Sequence, residues 1–218
     1  MPRIVYRHVP FVQLLSYLHK DGLPLANPAV WSDKCEGGWI KKLFGENAPL
    51  HGTNVRALCA SRDAYCEALW HVYARMQPVI RIGIRLQALL EAAKEADWEE
   101  GKFYVGDVAY LSSGGMKQCF KKAEKGKWTS SNAASLLHLK RVAFQYEDEV
   151  RIMWISRNVV PDIKWLSLDL KKSITRVLVA PQTEKWVVET IKSEMRLHGV
   201  KAQVQPSSLD TPPKWLLE

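Results

Sequence analysis

Three acids stand in a row, Glu147-Asp148-Glu149, at the entrance to the apolar run Val150 to Ile155, and Arg151 follows within it. Read as a strand, this stretch alternates faces, so Glu147, Glu149 and Arg151 share one side, and Tyr146, Asp148, Val150 and Ile152 take the other. Two carboxylates and a guanidinium on one face suit two kinds of chemistry. They form a charge ladder on a wet sheet edge, or a catalytic carboxylate pair held ionised by its own cation. On the first reading Glu147→Gln and Glu149→Gln are both mild. On the second, Glu149→Gln spares the fold and removes activity.

Four other segments carry residues of chemical interest. Tyr6-Arg7-His8 closes a first strand, where an Arg holds a phosphate or carboxylate bidentately or lies on the surface. Asn27-Pro28 marks a turn ahead of Trp31-Ser32-Asp33-Lys34-Cys35-Glu36. If a helix starts there, Ser32 or Asp33 caps it and Glu36 sits near its positive end. Asp33 and Glu36 also qualify as orienting groups or metal ligands. Ser61 ends the strand candidate Val55 to Ala60, a place for a turn residue, an N-cap or an active-site hydroxyl. A helix from Ala64 to Met76 puts Trp70, Tyr73 and Ala74 on one side, either as core or as a wall on which a base or nicotinamide stacks. No Ser-His-Asp order or Cys-His spacing makes a nucleophilic triad.

These residues need a scaffold of mixed elements. The periodicity predicts strands at Ile4 to Tyr6, Val55 to Ala60, Val79 to Leu86, Tyr104 to Leu111, Val142 to Ile155, Ile174 to Val179 and Val200 to Val204. It predicts helices after Pro10, at Ala64 to Met76, Leu86 to Ala96, Asn132 to Leu139 and Glu184 to His198. Trp31 to Leu50 has no clean period and reads as loop with short helix. Strand and helix do not alternate regularly, and no Gly-rich fingerprint follows the first strand, which argues against a Rossmann or P-loop site. The expectation is one α+β domain over residues 1–205, with mixed or antiparallel sheets and flanking helices, and a Pro-rich tail over 206–218.

The 218 residues carry a net charge of +8, which favours an anionic partner such as RNA or DNA. Lys117, Lys121, Lys122, Lys125 and Lys127 cluster in a Gly-containing stretch, read either as a solvated loop or as a clamp on a nucleic-acid backbone. The four cysteines form no CxxC pair, so no metal is expected, and reduced thiols fit a cytoplasmic protein. No apolar run approaches the ~20 residues of a membrane span.

Taken together, Tyr6-Arg7, Asn27-Pro28, Trp31 to Glu36, Ser61, Leu69-Trp70 with Tyr73-Ala74, Lys140, and Tyr146-Glu147 with Glu149 and Arg151 resemble the bacterial and phage domain-of-unknown-function family 2971 over roughly residues 4–180. Lys34-Cys35 departs from that family's Pro-aromatic pair. More distantly the set is similar to ADP-ribosyltransferases of the arginine-serine-glutamate type. That resemblance implies a split-sheet α+β fold, NAD as substrate, and a toxin or phage-conflict role. It implies Glu149, Glu147 and Ser61 as catalytic residues, with Arg7, Tyr6, Tyr73 and Trp70 on NAD. Asp33, Glu36, Trp31, Lys140 and Arg151 would support them. Two rivals stand beside it: a Mg²⁺-dependent nuclease built on Asp33, Glu36, Glu147 and Glu149, and a non-catalytic basic binding module.

Overall fold

The structure is a computed structural model that describes residues 3–31, 33–73, 78–96, 98, 101–157, 161–209, 211–212 and 216. Ser32, Ala74, Met76 and Pro213, singled out in the sequence, lie outside the described residues. The elements run β1 (Ile4–Pro10), α1 (Phe11–Lys20), β2 (Gly22–Ala26), α2 (Lys34–Phe44), β3 (Asn54–Ser61), α3 (Glu67–Tyr73), β4 (Val79–Arg85) and α4 (Leu86–Glu95). They continue with β5 (Gly101–Asp107), β6 (Ala109–Leu111), α5 (Ser113–Glu124), α6 (Ser130–Leu137), β7 (Leu139–Arg141) and β8 (Glu149–Ser156). The chain closes with β9 (Ile163–Ser167), α7 (Leu170–Ser173), β10 (Ile174–Val179), α8 (Lys185–Leu197) and β11 (Gln203–Pro206). The fold class is α+β, with mixed strand pairing and flanking helices.

Contacts gather these elements into two compact units: Met1–Gly22 with Asp63–Glu91 and Ser167–Glu218, and Leu23–Arg62 with Ala92–Leu166. In the first unit β1 and β10 flank β4, both antiparallel to it, and β11 lies parallel to β10. Strand β4 is buried from Val79 to Ile84, apolar except for Arg81 in its middle. Helix α1 packs Leu14, Tyr17 and Leu18, an i, i+3, i+4 set on one face. Asp21 closes that helix in the left-handed region (φ 44°), which Asp tolerates better than most residues. The last strand runs on through Pro206, whose neighbour Ser207 donates its N–H to Val179.

In the second unit β8 lies between β3 and β5, antiparallel to both. Its helix-facing side starts charged, at Glu149 and Arg151, and turns apolar at Met153 and Ile155. Those two pack with Val55, Ala57, Leu43, Phe120, Ala133 and Leu137 from β3, α2, α5 and α6. Burying each such aliphatic side chain stabilises the fold by roughly 1.5–3 kcal/mol.

The segment read as loop with short helix holds an 11-residue helix capped as expected by Asp33, and the lysine stretch read as loop or clamp is largely helical. Helix α2 escapes the periodicity because its buried face is Glu36, Ile40 and Leu43: a charged residue takes the first core position. Asp33 caps it, its Oδ1 accepting from the Cys35 N–H at 2.9 Å. Lys117, Lys121 and Lys122 ride on α5, which Met116 and Phe120 pin to the core and Ser112 caps. The predicted strand Val142 to Ile155 is also shorter than expected. Val142–Glu147 is a 3₁₀ turn, Asp148 is left-handed (φ 39°), and the strand begins at Glu149.

Candidate functional site

The start of β8 gathers five charged side chains from four segments of the second unit. Arg151, almost fully buried, spends its whole fork inward. Nε donates to Glu149 Oε1 at 2.8 Å, and Nη2 to Glu149 Oε2 at 3.1 Å and Glu36 Oε1 at 2.5 Å. Nη1 donates to the Leu137 carbonyl at 2.5 Å, at the negative end of α6. The Trp31 ring lies against the guanidinium, 4.6 Å from its centroid. Lys140, on β7, reaches three carboxylates: Glu147 at 2.6 Å, Glu149 at 3.2 Å and Glu36 at 3.6 Å. Beside this cluster Arg141 pairs with Asp33 at 2.9 Å.

Register explains why these residues meet. Directly opposite residues of an antiparallel pair point to the same face. Ser61 is paired with Glu149 and Cys59 with Arg151, so all four side chains share the helix-facing side. The Glu149 N–H donates to the Tyr110 hydroxyl at 2.8 Å, and the Cys59 thiol hydrogen-bonds the Glu149 carboxylate. Burial, reinforced by Glu149, pushes that thiol well up, so it stays protonated.

Three carboxylates face two cations, so the fully ionised cluster carries one excess negative charge. The protonation preferences follow. Burial alone would raise the Glu149 carboxyl, but Arg151 and then Lys140 overcome it and bring it down to about 2. Burial raises Glu147, and Lys140 only partly opposes this. Lys140 itself is held above its ordinary value: burial would lower it, and the three carboxylates outweigh that. The cluster therefore holds one carboxylate firmly ionised at its back and one poised to take a proton at its front. Glu147 is the more open of the two, its side chain 18% exposed against 4% for Glu149.

This geometry replaces the charge ladder on a wet edge. β8 is central, and all eight of its residues are buried. Glu147 comes to the cluster through the left-handed turn at Asp148, not through strand alternation. The catalytic-pair reading's expectation that Glu149→Gln spares the fold also falls, since Glu149 is held by two buried cations. For the Mg²⁺ nuclease, Lys140 and Arg151 occupy the oxygens of Glu36, Glu147 and Glu149, and Arg141 holds Asp33. Among the described residues no group of three His, Cys, Asp or Glu side chains is arranged to hold a metal.

The remaining sequence-selected residues lie in the first unit. The regular register of β1 with β4 puts Tyr6, His8 and Arg81 on one face and Arg7 on the other. Trp70 is buried and meets the His8 ring edge-on at 4.6 Å, so it serves the core. Tyr73, 44% exposed, stacks on His8 at 6.0 Å. The Arg81 guanidinium, which donates to the Ala64 carbonyl, lies 5.0 Å from the Tyr6 ring centroid and 5.8 Å from that of Trp70. Burial and then Arg81 lower the His8 imidazole to about 3, so it is neutral.

Sequence reading named His8 without giving it a role and singled out none of Arg141, Tyr110, Cys59 and Arg81. Only Arg81 left a usable signal, a basic residue in the middle of an otherwise apolar strand. Among the described residues no helix is long and apolar enough to cross a membrane.

No family model and no curated protein matches the chain. Among solved structures the chain is similar to Thermus sp. 2.9 DarT in complex with ADP-ribosylated ssDNA, at 12% identity and a TM-score of 0.46, over 96% of this chain and 95% of that one. It is similar also to the same protein in complex with NAD+, at 11% identity and a TM-score of 0.45, over 96% of each chain. Likeness this distant leaves activity to be argued from the site itself.

Proposed function

We propose that the Glu36–Lys140–Glu147–Glu149–Arg151 cluster is the catalytic centre of an NAD-dependent ADP-ribosyltransferase acting on a nucleic-acid target. One observation carries the reading: two carboxylates share Lys140, yet their surroundings push their protonation in opposite directions. Such a divided pair is the usual arrangement for glycosidic chemistry, where one group stabilises positive charge and the other moves a proton.

In this reaction the bond between ribose C1′ and the nicotinamide nitrogen breaks, and nicotinamide leaves with the bonding pair. The acceptor's oxygen or nitrogen forms the new bond to C1′, and its proton passes to the Glu147 carboxylate. The excess negative charge of the cluster stabilises the oxocarbenium character that develops at C1′. Glu147, at the open front, is the group that meets substrate. Glu149, Arg151 and Glu36 are positioning residues that hold Lys140 and Glu147 in place. Ser61, beside Glu149 on β3, is placed to orient that carboxylate. The net charge of +8 supports an anionic acceptor.

The test is nicotinamide release from NAD by the wild type and by Glu147→Gln, alone and with single-stranded or duplex oligonucleotides, with labelled NAD to follow transfer. The expected result is label on the nucleic acid and loss of both signals in the variant. Absence of release by a folded wild type under every acceptor condition overturns the reading and leaves the cluster as a structural ion network.

A further inference from the structure

We propose that a groove at the far end of β8 binds single-stranded nucleic acid, apart from the carboxylate cluster. Seven residue steps of extended chain separate Glu149 from Ser156, about 23 Å at the usual rise of a strand. There the start of β5, the end of β8 and the segment leading into α6 enclose a cavity of about 550 Å³. That is the size of a pocket for one nucleotide.

Three observations define the occupant. Among the described residues the lining has three cations, Lys102, Lys127 and Arg157, and no carboxylate. Among the described residues none of the three side chains is paired with an acid. Trp128 forms one wall. It is half-buried and rests on Phe120, ring centroids 5.6 Å apart, which fixes it as a flat apolar surface. Thr129 and Ser130 stand at the start of α6, and that rim is tied down: Asn132 donates to the Lys127 carbonyl at 2.8 Å, and the Tyr104 hydroxyl donates to Ser130 at 3.0 Å.

Cations without acids match a phosphodiester backbone, and a fixed indole beside them matches a base. The two together are the recognition set for a single strand, whose bases are free to stack. A duplex keeps its bases stacked on each other, and an acidic peptide has no use for the indole. Lys127, counted in the sequence with the α5 lysines, belongs instead to this groove. The inference extends the nucleic-acid target of the proposed function, but the binding needs no NAD.

The experiment is fluorescence anisotropy with a labelled oligothymidylate, its duplex, and polyglutamate, over a range of salt, without NAD. For the wild type the single strand binds best. The triple variant Lys102→Glu, Lys127→Glu, Arg157→Glu weakens binding at least ~100-fold and flattens the slope of log K against log salt by about 2, given ~0.7 per phosphate contact on single strands. Trp128→Phe, which keeps the packing on Phe120, weakens the single strand several-fold and leaves polyglutamate unchanged. Near-normal binding and slope in a folded triple variant overturn the site, as does equal loss of polyglutamate and oligonucleotide binding in Trp128→Phe. Nicotinamide release without acceptor is unchanged in the triple variant. A chain that binds the strand through the groove but releases no nicotinamide refutes the transferase and keeps this site.

Discussion

Glu149→Gln keeps the shape of the side chain and removes one charge from the back of the cluster. The carboxylate it replaces is bound at 2.8 and 3.1 Å by Arg151 and at 3.2 Å by Lys140, with the side chain 4% exposed. Breaking such a buried arrangement typically costs ~3–5 kcal/mol, because the partner cations lose their compensation while still out of water. Linkage gives a second route to the magnitude. A carboxyl lowered from its ordinary 4.5 to about 2 contributes about 3 kcal/mol of stability at neutral pH. Its sign fixes the pH window. Because the folded value is depressed, the contribution is complete above pH 4.5 and is lost as pH falls toward 2. Urea unfolding of wild type and variant should therefore show a gap of about 3 kcal/mol at pH 7 that narrows steadily below pH 4.5. A Lys140→Met partner completes a double-mutant cycle, with a coupling above ~1 kcal/mol expected. A gap under ~1 kcal/mol at pH 7, or one of constant size down to pH 3, would refute the account of the cluster as a buried, mutually dependent network. Activity must be read where the variant is folded, so that a fall in nicotinamide release is not unfolding in disguise.

Glu147→Gln should behave differently at the same lysine: its raised carboxyl weighs against the fold as pH rises past 4.5, so a neutral replacement should change stability at pH 7 by less than ~1 kcal/mol while nicotinamide release collapses. With His8 held neutral, its imidazole at about 3 against an ordinary 6.5, the wild type should lose of order 5 kcal/mol of stability as pH falls through that interval, and His8→Phe should lack this dependence in acid titrations followed by circular dichroism. Trp70→Ala should cost ~3–5 kcal/mol in thermal or urea unfolding, and Tyr73→Ala ~1 kcal/mol or less, because only the first ring is enclosed. Gly101→Ala should destabilise by ~1–3 kcal/mol, since the Trp154 indole occupies the space a Cβ would need; an unchanged unfolding midpoint would show that the indole moves aside freely.

Sequence pattern found most elements because apolar periodicity decides them, and it failed where a charge took a core position. Helix α2 was hidden by Glu36, a buried residue that looks like surface, and the lysines of α5 hid a helix whose two anchors are Met116 and Phe120. The grouping of Glu147, Glu149 and Arg151 was legible, but the reason for it was not. Strand alternation assigned Glu147 to the shared face, whereas the structure breaks the strand at Asp148 and returns Glu147 to the cluster through a left-handed turn. That difference has a functional consequence. Had all three side chains lain on one strand, both carboxylates would have been carried into the sheet beside Arg151. With the turn between them, Glu149 enters the sheet and is locked between Arg151 and Lys140, while Glu147 stays at the rim with a single cation. The split between an ionised carboxylate and a proton-accepting one, on which the proposed chemistry depends, is thus a product of one backbone conformation at residue 148. Asp148→Gly, which adopts positive φ without strain, should preserve that split, and Asp148→Val, which resists it, should abolish it together with nicotinamide release. Equal activity in the two variants would separate the turn from the chemistry.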